Sequence, residues 1–153
     1  MLRSVNPVFI SALLSWFGAQ FIKTILNGLL KKSLRNPADV IASLIWRTGG
    51  MPSSHSALVT ALAVSIGFNE GINSTMFALA LFFALVVVRD ALGVRLSTGR
   101  QAQALNRLGR SLEHQEGVDF APVKEVHGHT PPEVLAGVIL GGSIALAASI
   151  LSR

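Results

Sequence analysis

Long apolar stretches separated by polar connections run along the whole chain. Four of them approach the roughly 20 residues that a helix needs to cross the hydrocarbon core of a bilayer. They predict membrane helices over about residues 7–30, 56–72, 74–95 and 133–151, with polar loops over 31–55 and 96–132. The pattern therefore predicts an all-α protein, an integral membrane bundle of about four transmembrane helices that forms a single membrane domain over residues 1–153.

The composition supports a bilayer as the solvent of this chain. Half of the 153 residues are hydrophobic and only 14% are charged, against about 25% charged in an average soluble domain. The chain contains no cysteine, which excludes a disulfide framework and a Cys-ligated zinc site. We expect a membrane lipid as the partner, and no nucleic acid.

The net charge of +5 is distributed unevenly between the two sides of the predicted bundle. Nine basic residues fall in the connections on one side, hereafter the basic side: Lys31, Lys32, Arg35, Arg47, Arg95, Arg100, Arg107, Arg110 and Lys124. Cytoplasmic loops carry the excess of Lys and Arg, so this side is predicted to face the cytoplasm from the cell membrane. Lys23 lies within a predicted span, where ionisable residues are functional candidates.

A turn-forming segment, residues 49–55 (GGMPSSH), directly precedes the second predicted helix. Its backbone N–H groups and the following helix N-terminus would suit an anion such as phosphate. Ser53 or Ser54 could equally be an ordinary N-cap. The neighbouring His55 favours chemistry over capping alone.

A second histidine segment, residues 127–134 (HGHTPPEV), enters the last predicted helix. Thr130 and Glu133 have capping-box spacing, and Pro131 suits the first helical position. Alternatively, Glu133 could bond one nitrogen of His129 and fix its tautomer, as the carboxylate of a catalytic triad does.

The predicted topology gathers six ionisable residues near the basic side: His55, His129, Lys23, Arg47, Asp90 and Arg95. Two imidazoles with fixed cations suit phosphoryl transfer, one attacking phosphorus and the other protonating the leaving oxygen. Asp90 and Arg95 could form a buried salt bridge or an interfacial anchor pair, or Arg95 could bind phosphate. No metal-ligating cluster is evident, which favours a mechanism without metal or cofactor.

Several motifs resemble a known superfamily. Residues 52–55 (PSSH) resemble the Pro-Ser-Gly-His motif of type 2 phosphatidic acid phosphatases (PAP2) and vanadium haloperoxidases, and residues 129–141 resemble the superfamily's last motif, His-x-x-x-Asp-Val-x-x-Gly-x-x-Leu-Gly. Residues 49–57, 90–95 and 128–134 most closely resemble the divergent PAP2 family of small bacterial and plant membrane proteins. The resemblance covers about residues 15–145 and implies a PAP2/haloperoxidase-like helical core.

The resemblance implies that His129 is a nucleophile forming a phosphohistidine, oriented by Glu133, and that His55 is the general acid. Six further residues would bind phosphate: Ser53, Ser54, Arg47, Lys23, Arg95 and Lys124. The chain departs from the superfamily pattern at Ser54, which replaces glycine, and at Glu133, which replaces aspartate. The arginine expected before the nucleophile is missing, with Lys124 beside its position.

These observations predict a metal-independent membrane phosphatase acting on a lipid phosphate monoester. Phosphatidic acid, phosphatidylglycerol phosphate and polyprenyl phosphates are the candidate classes. Two alternatives stay open: a non-catalytic protein that binds anionic lipid, and a small transporter or assembly subunit with Lys23 lining a polar path. A homodimer is compatible with each of these three functions.

Overall fold

The computed structural model describes residues 6–31, 50–125 and 128–152, without the side chains of 27–31. These residues form five helices and no strand: α1 (Pro7–Lys31), α2 (Ser54–Glu70), α3 (Thr75–Leu92), α4 (Val94–Glu116) and α5 (Pro131–Leu151). The all-α prediction is confirmed. The predicted loop 31–55 lies mostly outside the described residues.

Helix α2 is the centre of the bundle, because α1, α3 and α5 all pack against it. Three stretches are long and apolar enough to cross a membrane: Pro7–Leu26, Thr75–Glu116 (which comprises α3 and α4) and Pro131–Leu151. At 17 residues, α2 is about 26 Å long, slightly less than a hydrocarbon core of about 30 Å. All four predicted membrane helices are therefore present, and together they form a helical membrane bundle.

Small and polar side chains fill the interior of the bundle, and large apolar side chains cover its exterior. The largest fully buried side chains are Lys23 and six serines, and the buried apolar residues are alanines and valines. Large side chains such as Leu79, Phe82 and Ile150 are more than half exposed. A soluble protein has the opposite distribution, whereas membrane helices associate through small residues and present large apolar ones to lipid.

Two glycines of α5 allow its backbone to lie directly against that of α2. A Cβ atom at Gly137 would overlap the carbonyl oxygen of Ser53, and one at Gly141 would overlap the carbonyl oxygen of Ala57. This is the small-xxx-small packing that brings membrane helices together. The contact sets the start of α2 beside the start of α5.

The region 96–132, predicted as a polar loop, contains most of α4. Its many polar residues suggested a loop, but Leu105, Leu108 and Leu112 recur at the three- and four-residue spacing of one helix face. The helix ends at Gly117, whose φ of +65° is left-handed.

The segment after α4, residues 118–125, folds back along the helix. Buried Asn106 donates to the carbonyl oxygen of Val123 and to Glu125 Oε1, both at 2.9 Å, and accepts from the Val123 N–H at 2.9 Å. The ring of Phe120 lies over Gly109, where any Cβ would overlap it. Helix α4 and its return segment thus form one hairpin.

We expect Gly141→Ala to destabilise the bundle by about 1–3 kcal/mol, because the added Cβ would force the α2 and α5 backbones apart. Gly142→Ala is the matched control: its Cβ would make only an ordinary contact, 3.9 Å from Thr60 Cγ2. Unfolding of both variants in detergent, followed by circular dichroism, measures the difference. Equal stability of the two variants would contradict a close α2–α5 contact.

Candidate active site

A cleft of about 250 Å³ opens at the basic side of the bundle. Its polar wall consists of His55, Asp90, Arg95 and His129, and its apolar wall of Val86, Val87 and Ala91. These residues come from the starts of α2 and α4, from the last turns of α3 and, for His129, from the residue before the N-cap of α5. Four of the residues that the sequence predicted for the site therefore meet in one place.

The turn before α2 places His55 at the cleft. Ser53 is the N-cap of α2, and its Oγ accepts from the Ser56 N–H at 3.4 Å and from the Ser56 hydroxyl at 3.0 Å. The Ser53 N–H donates to the carbonyl oxygen of Glu133 at 2.9 Å. The capping interpretation of this turn is thus confirmed for Ser53, while Ser54 is buried as the first residue of the helix.

His129 is buried and held by the carboxylate that follows it one turn later. Its Nδ1 lies 3.1 Å from Glu133 Oε2. Since an ionised carboxylate only accepts hydrogen bonds, Nδ1 carries the proton of the neutral imidazole and Nε2 keeps its lone pair. This is the tautomer that a nucleophilic histidine requires.

The same carboxylate oxygen also caps α5. Glu133 Oε2 accepts from the Thr130 N–H at 3.1 Å, as the glutamate of a capping box does. The two interpretations that the sequence left open, a cap and a histidine partner, are therefore both correct. Because the cap holds Glu133 in place, it also holds the ring of His129.

Asp90 and Arg95 form a salt bridge across the break between α3 and α4. Arg95 Nε lies 2.6 Å from Asp90 Oδ2, and the two side chains are 53% and 39% exposed. The salt bridge considered from the sequence is therefore present, but it lies at the cleft surface and is not buried. Among the described residues only Nε of Arg95 is engaged, so its two terminal amino groups remain available as donors.

Lys23 lies beneath this site in α1, with only 1% of its surface exposed. Among the described residues its Nζ has no hydrogen-bond partner. It is near enough to Glu133 and His55 to interact with them electrostatically. Because a buried ammonium without a partner is costly, the charged form of Lys23 would require an anion in the site.

Gly128, which directly precedes His129, lies in close contact with the start of α4. A Cβ at Gly128 would overlap the backbone at Arg95 and Leu96. This contact brings Arg95 and His129 to the same wall of the cleft. The close approach is a tertiary feature that the motif GHTPPEV does not reveal by itself.

Of the predicted phosphate ligands among the described residues, only Arg95 lines the cleft, while Ser53, Ser54 and Lys23 are buried and absent from its lining. Lys124 is exposed in the return segment after α4 and is absent from the cleft lining. Arg47 lies outside the described residues. Val86 and Val87 were not predicted as part of the site, although their four-residue spacing to Asp90 and Ala91 places them on the same face of α3. Within the described part of the chain, no three His, Asp or Glu side chains come together as a metal site would require.

Comparisons with known proteins agree with this architecture. The chain is 36% identical to the uncharacterized membrane protein YuiD of Bacillus subtilis (strain 168), with 89% of each chain covered. No solved structure matches it. The model of the divergent PAP2 family matches residues 4–144, which include the first three predicted membrane helices and more than half of the fourth. The chain therefore belongs to the divergent PAP2 family, and it is a membrane protein.

Proposed function

We propose that this protein is a phosphatase that hydrolyses a lipid phosphate monoester through a phosphohistidine intermediate. The observation that carries the proposal is His129, whose Nδ1 lies 3.1 Å from Glu133 Oε2 and which shares a cleft with His55 and Arg95; an ionised Glu133 favours the tautomer whose Nε2 is free to attack. Membership of the PAP2-related family supports the same chemistry.

In the first half of the reaction, Nε2 of His129 attacks the phosphorus of the substrate. An N–P bond forms, and the bond between phosphorus and the lipid oxygen breaks. His55 gives its proton to that oxygen, so the lipid leaves as a neutral alcohol. Glu133 stabilises the positive charge that develops on the ring of His129.

In the second half, water attacks the phosphorus of the phosphohistidine. His55, now neutral, takes a proton from the water, and the N–P bond breaks. Inorganic phosphate leaves, and both histidines return to their starting protonation states.

Arg95 and Lys23 stabilise the phosphoryl oxygens in this proposal. Arg95 is oriented by its bond to Asp90 and offers two terminal amino groups, a geometry suited to phosphate. Lys23 supplies a buried charge that acts strongly in a site of low dielectric constant. Arg47, Ser54 and Lys124 stay predictions as phosphate ligands, and Ser53 would contribute from its capping position.

A lipid substrate fits the place of the cleft in the bundle. The polar wall lies at helix ends, where a headgroup would sit, and the apolar wall of Val86, Val87 and Ala91 continues into the membrane helix α3. Phosphatidic acid, phosphatidylglycerol phosphate and polyprenyl phosphates all have this division into headgroup and tail.

We expect His129→Ala to reduce phosphate release from these lipids to the background rate, because the nucleophile is lost. His55→Ala should lower kcat on the lipids by about 10²–10⁴-fold, the usual contribution of a general acid. The same variant should still release a burst of p-nitrophenol from p-nitrophenyl phosphate, whose leaving group needs no protonation, although its turnover falls because His55 also accepts the proton of the attacking water. Steady-state release of phosphate and rapid-mixing measurement of the p-nitrophenol burst, with purified protein in detergent, test these expectations.

His114→Ala is the matched control, because His114 is exposed on α4 and absent from the cleft lining. Its activity should equal that of the unchanged protein. Lipid binding by the unchanged protein without any turnover would instead favour the non-catalytic alternative. One observation favours that alternative: the Ser53 N–H, a possible phosphate donor, is already bonded to Glu133.

Glu133→Gln separates orientation of the histidine from capping of the helix. The amide oxygen can still accept from the Thr130 N–H, so the thermal unfolding midpoint should change little. The negative charge that stabilises the imidazolium is removed, so kcat should fall by about 10²–10⁴-fold, as when a triad aspartate becomes asparagine. A variant that loses stability but keeps kcat would show that Glu133 is only a cap.

We further propose that the basic side faces the cytoplasm of the cell. In the cysteine-free chain, a cysteine introduced by Glu116→Cys should react with a membrane-impermeant maleimide only after the cells are opened. Asn73→Cys, in the exposed turn between α2 and α3 at the other end of the bundle, should react in intact cells. The reverse pattern would overturn this orientation.

A further inference from the structure

Helix α4 carries an exposed apolar stripe that the proposed reaction does not use. Leu105, Leu108 and Leu112 follow one another at spacings of three and four residues, and Val94 lies three turns before Leu105 on the same face. All four are exposed, Leu108 by 58%. The rest of the helix is strongly polar, so the stripe is not part of a generally apolar surface.

No other part of the described chain covers this stripe. Helix α4 contacts α3, which it follows directly, and no other helix of the described bundle. The return segment covers a different face, which contains the buried Asn106 and Gly109.

The start of α4 is held at the level where membrane helices end. Only Gly93 separates it from the last residue of α3, and Gly93 has non-helical dihedral angles that interrupt the helix axis. From the other side, Gly128 packs on the backbone at Arg95 and Leu96, two residues before α5 is capped by Thr130. The stripe therefore begins at the boundary of the apolar bundle.

The polar faces of α4 carry an excess of positive charge. Arg100, Arg107 and Arg110 are exposed, in addition to Arg95 in the cleft, against only Glu113 and Glu116. An amphipathic helix with a leucine stripe and arginines on its polar face is the type that lies in a membrane interface and is attracted by anionic lipids.

We propose that α4 lies in the membrane surface, with Leu105, Leu108 and Leu112 inserted among lipid chains and its arginines drawn to anionic phospholipid headgroups. This second membrane contact is independent of any phosphatase activity. It would keep the cleft, whose Arg95 belongs to the first turn of α4, at the level of the lipid headgroups.

Single cysteines in the cysteine-free chain provide the test. Leu108→Cys and Leu112→Cys each remove an exposed side chain, and His114→Cys is the control on the opposite side of the helix. Each variant is labelled with an environment-sensitive fluorophore and placed in nanodiscs of phosphatidylcholine, with or without phosphatidylglycerol. Nitroxide groups on the upper part of the lipid chains then quench the labels that lie among lipids.

We expect the labels at 108 and 112 to be quenched several-fold more than the label at 114, and more strongly when phosphatidylglycerol is present. Replacing Arg100, Arg107 and Arg110 by glutamate should remove the effect of phosphatidylglycerol. Equal, weak quenching at all three positions would show that α4 projects into water and would overturn the proposal. A second outcome would also overturn the proposal: the labels at 108 and 112 are shielded from water but not quenched, and they become exposed when the discs are diluted to one chain each. That result would show that a second copy of the chain covers the stripe.

Discussion

The direct contact between the backbones of α2 and α5 is the constraint on which the site depends. Gly137 and Gly141 let the two helices approach until the carbonyl groups of Ser53 and Ala57 fill the space of absent side chains. The Ser53 N–H then reaches the carbonyl oxygen of Glu133. The turn that carries His55 and the turn that carries His129 are thereby joined, so the geometry between the two histidines follows from helix packing.

The small and polar side chains inside the bundle explain why its helices can pack around ionisable groups. A membrane bundle gains little by burying large apolar side chains, because lipid chains solvate them equally well. Its interior can therefore consist of alanine, glycine and serine, and it can accommodate the ammonium of Lys23 below the cleft. Burial would strengthen the interaction of a charged Lys23 with an anion in the cleft, whereas Asp90 and Arg95 are partly exposed at the cleft surface.

Glu133 shows how one side chain can meet a structural and a chemical requirement together. Its Oε2 accepts from the Thr130 N–H and from His129 Nδ1, so the cap of α5 and the tautomer of the histidine depend on one carboxylate. From the sequence, the cap and the histidine partner looked like alternatives. One carboxylate can serve both, because residues three and four positions apart meet on the same side of a helical turn. Arg95 combines roles similarly, since it belongs to the cleft and to the first turn of the surface helix α4.

The sequence by itself determined the membrane helices, a helix N-cap at Ser53 or Ser54 and the motifs of the family, because these depend on residues close together along the chain; the structure assigned the cap to Ser53. It also indicated that His55, His129, Asp90 and Arg95 lie at one end of the bundle, since the alternation of spans fixes their side of the membrane. It did not predict α4, whose amphipathic period was hidden by its many polar residues. Only the tertiary structure decided that these four residues share a cleft and that Lys124 stays outside it, because these distances depend on glycine contacts between helices far apart in the chain.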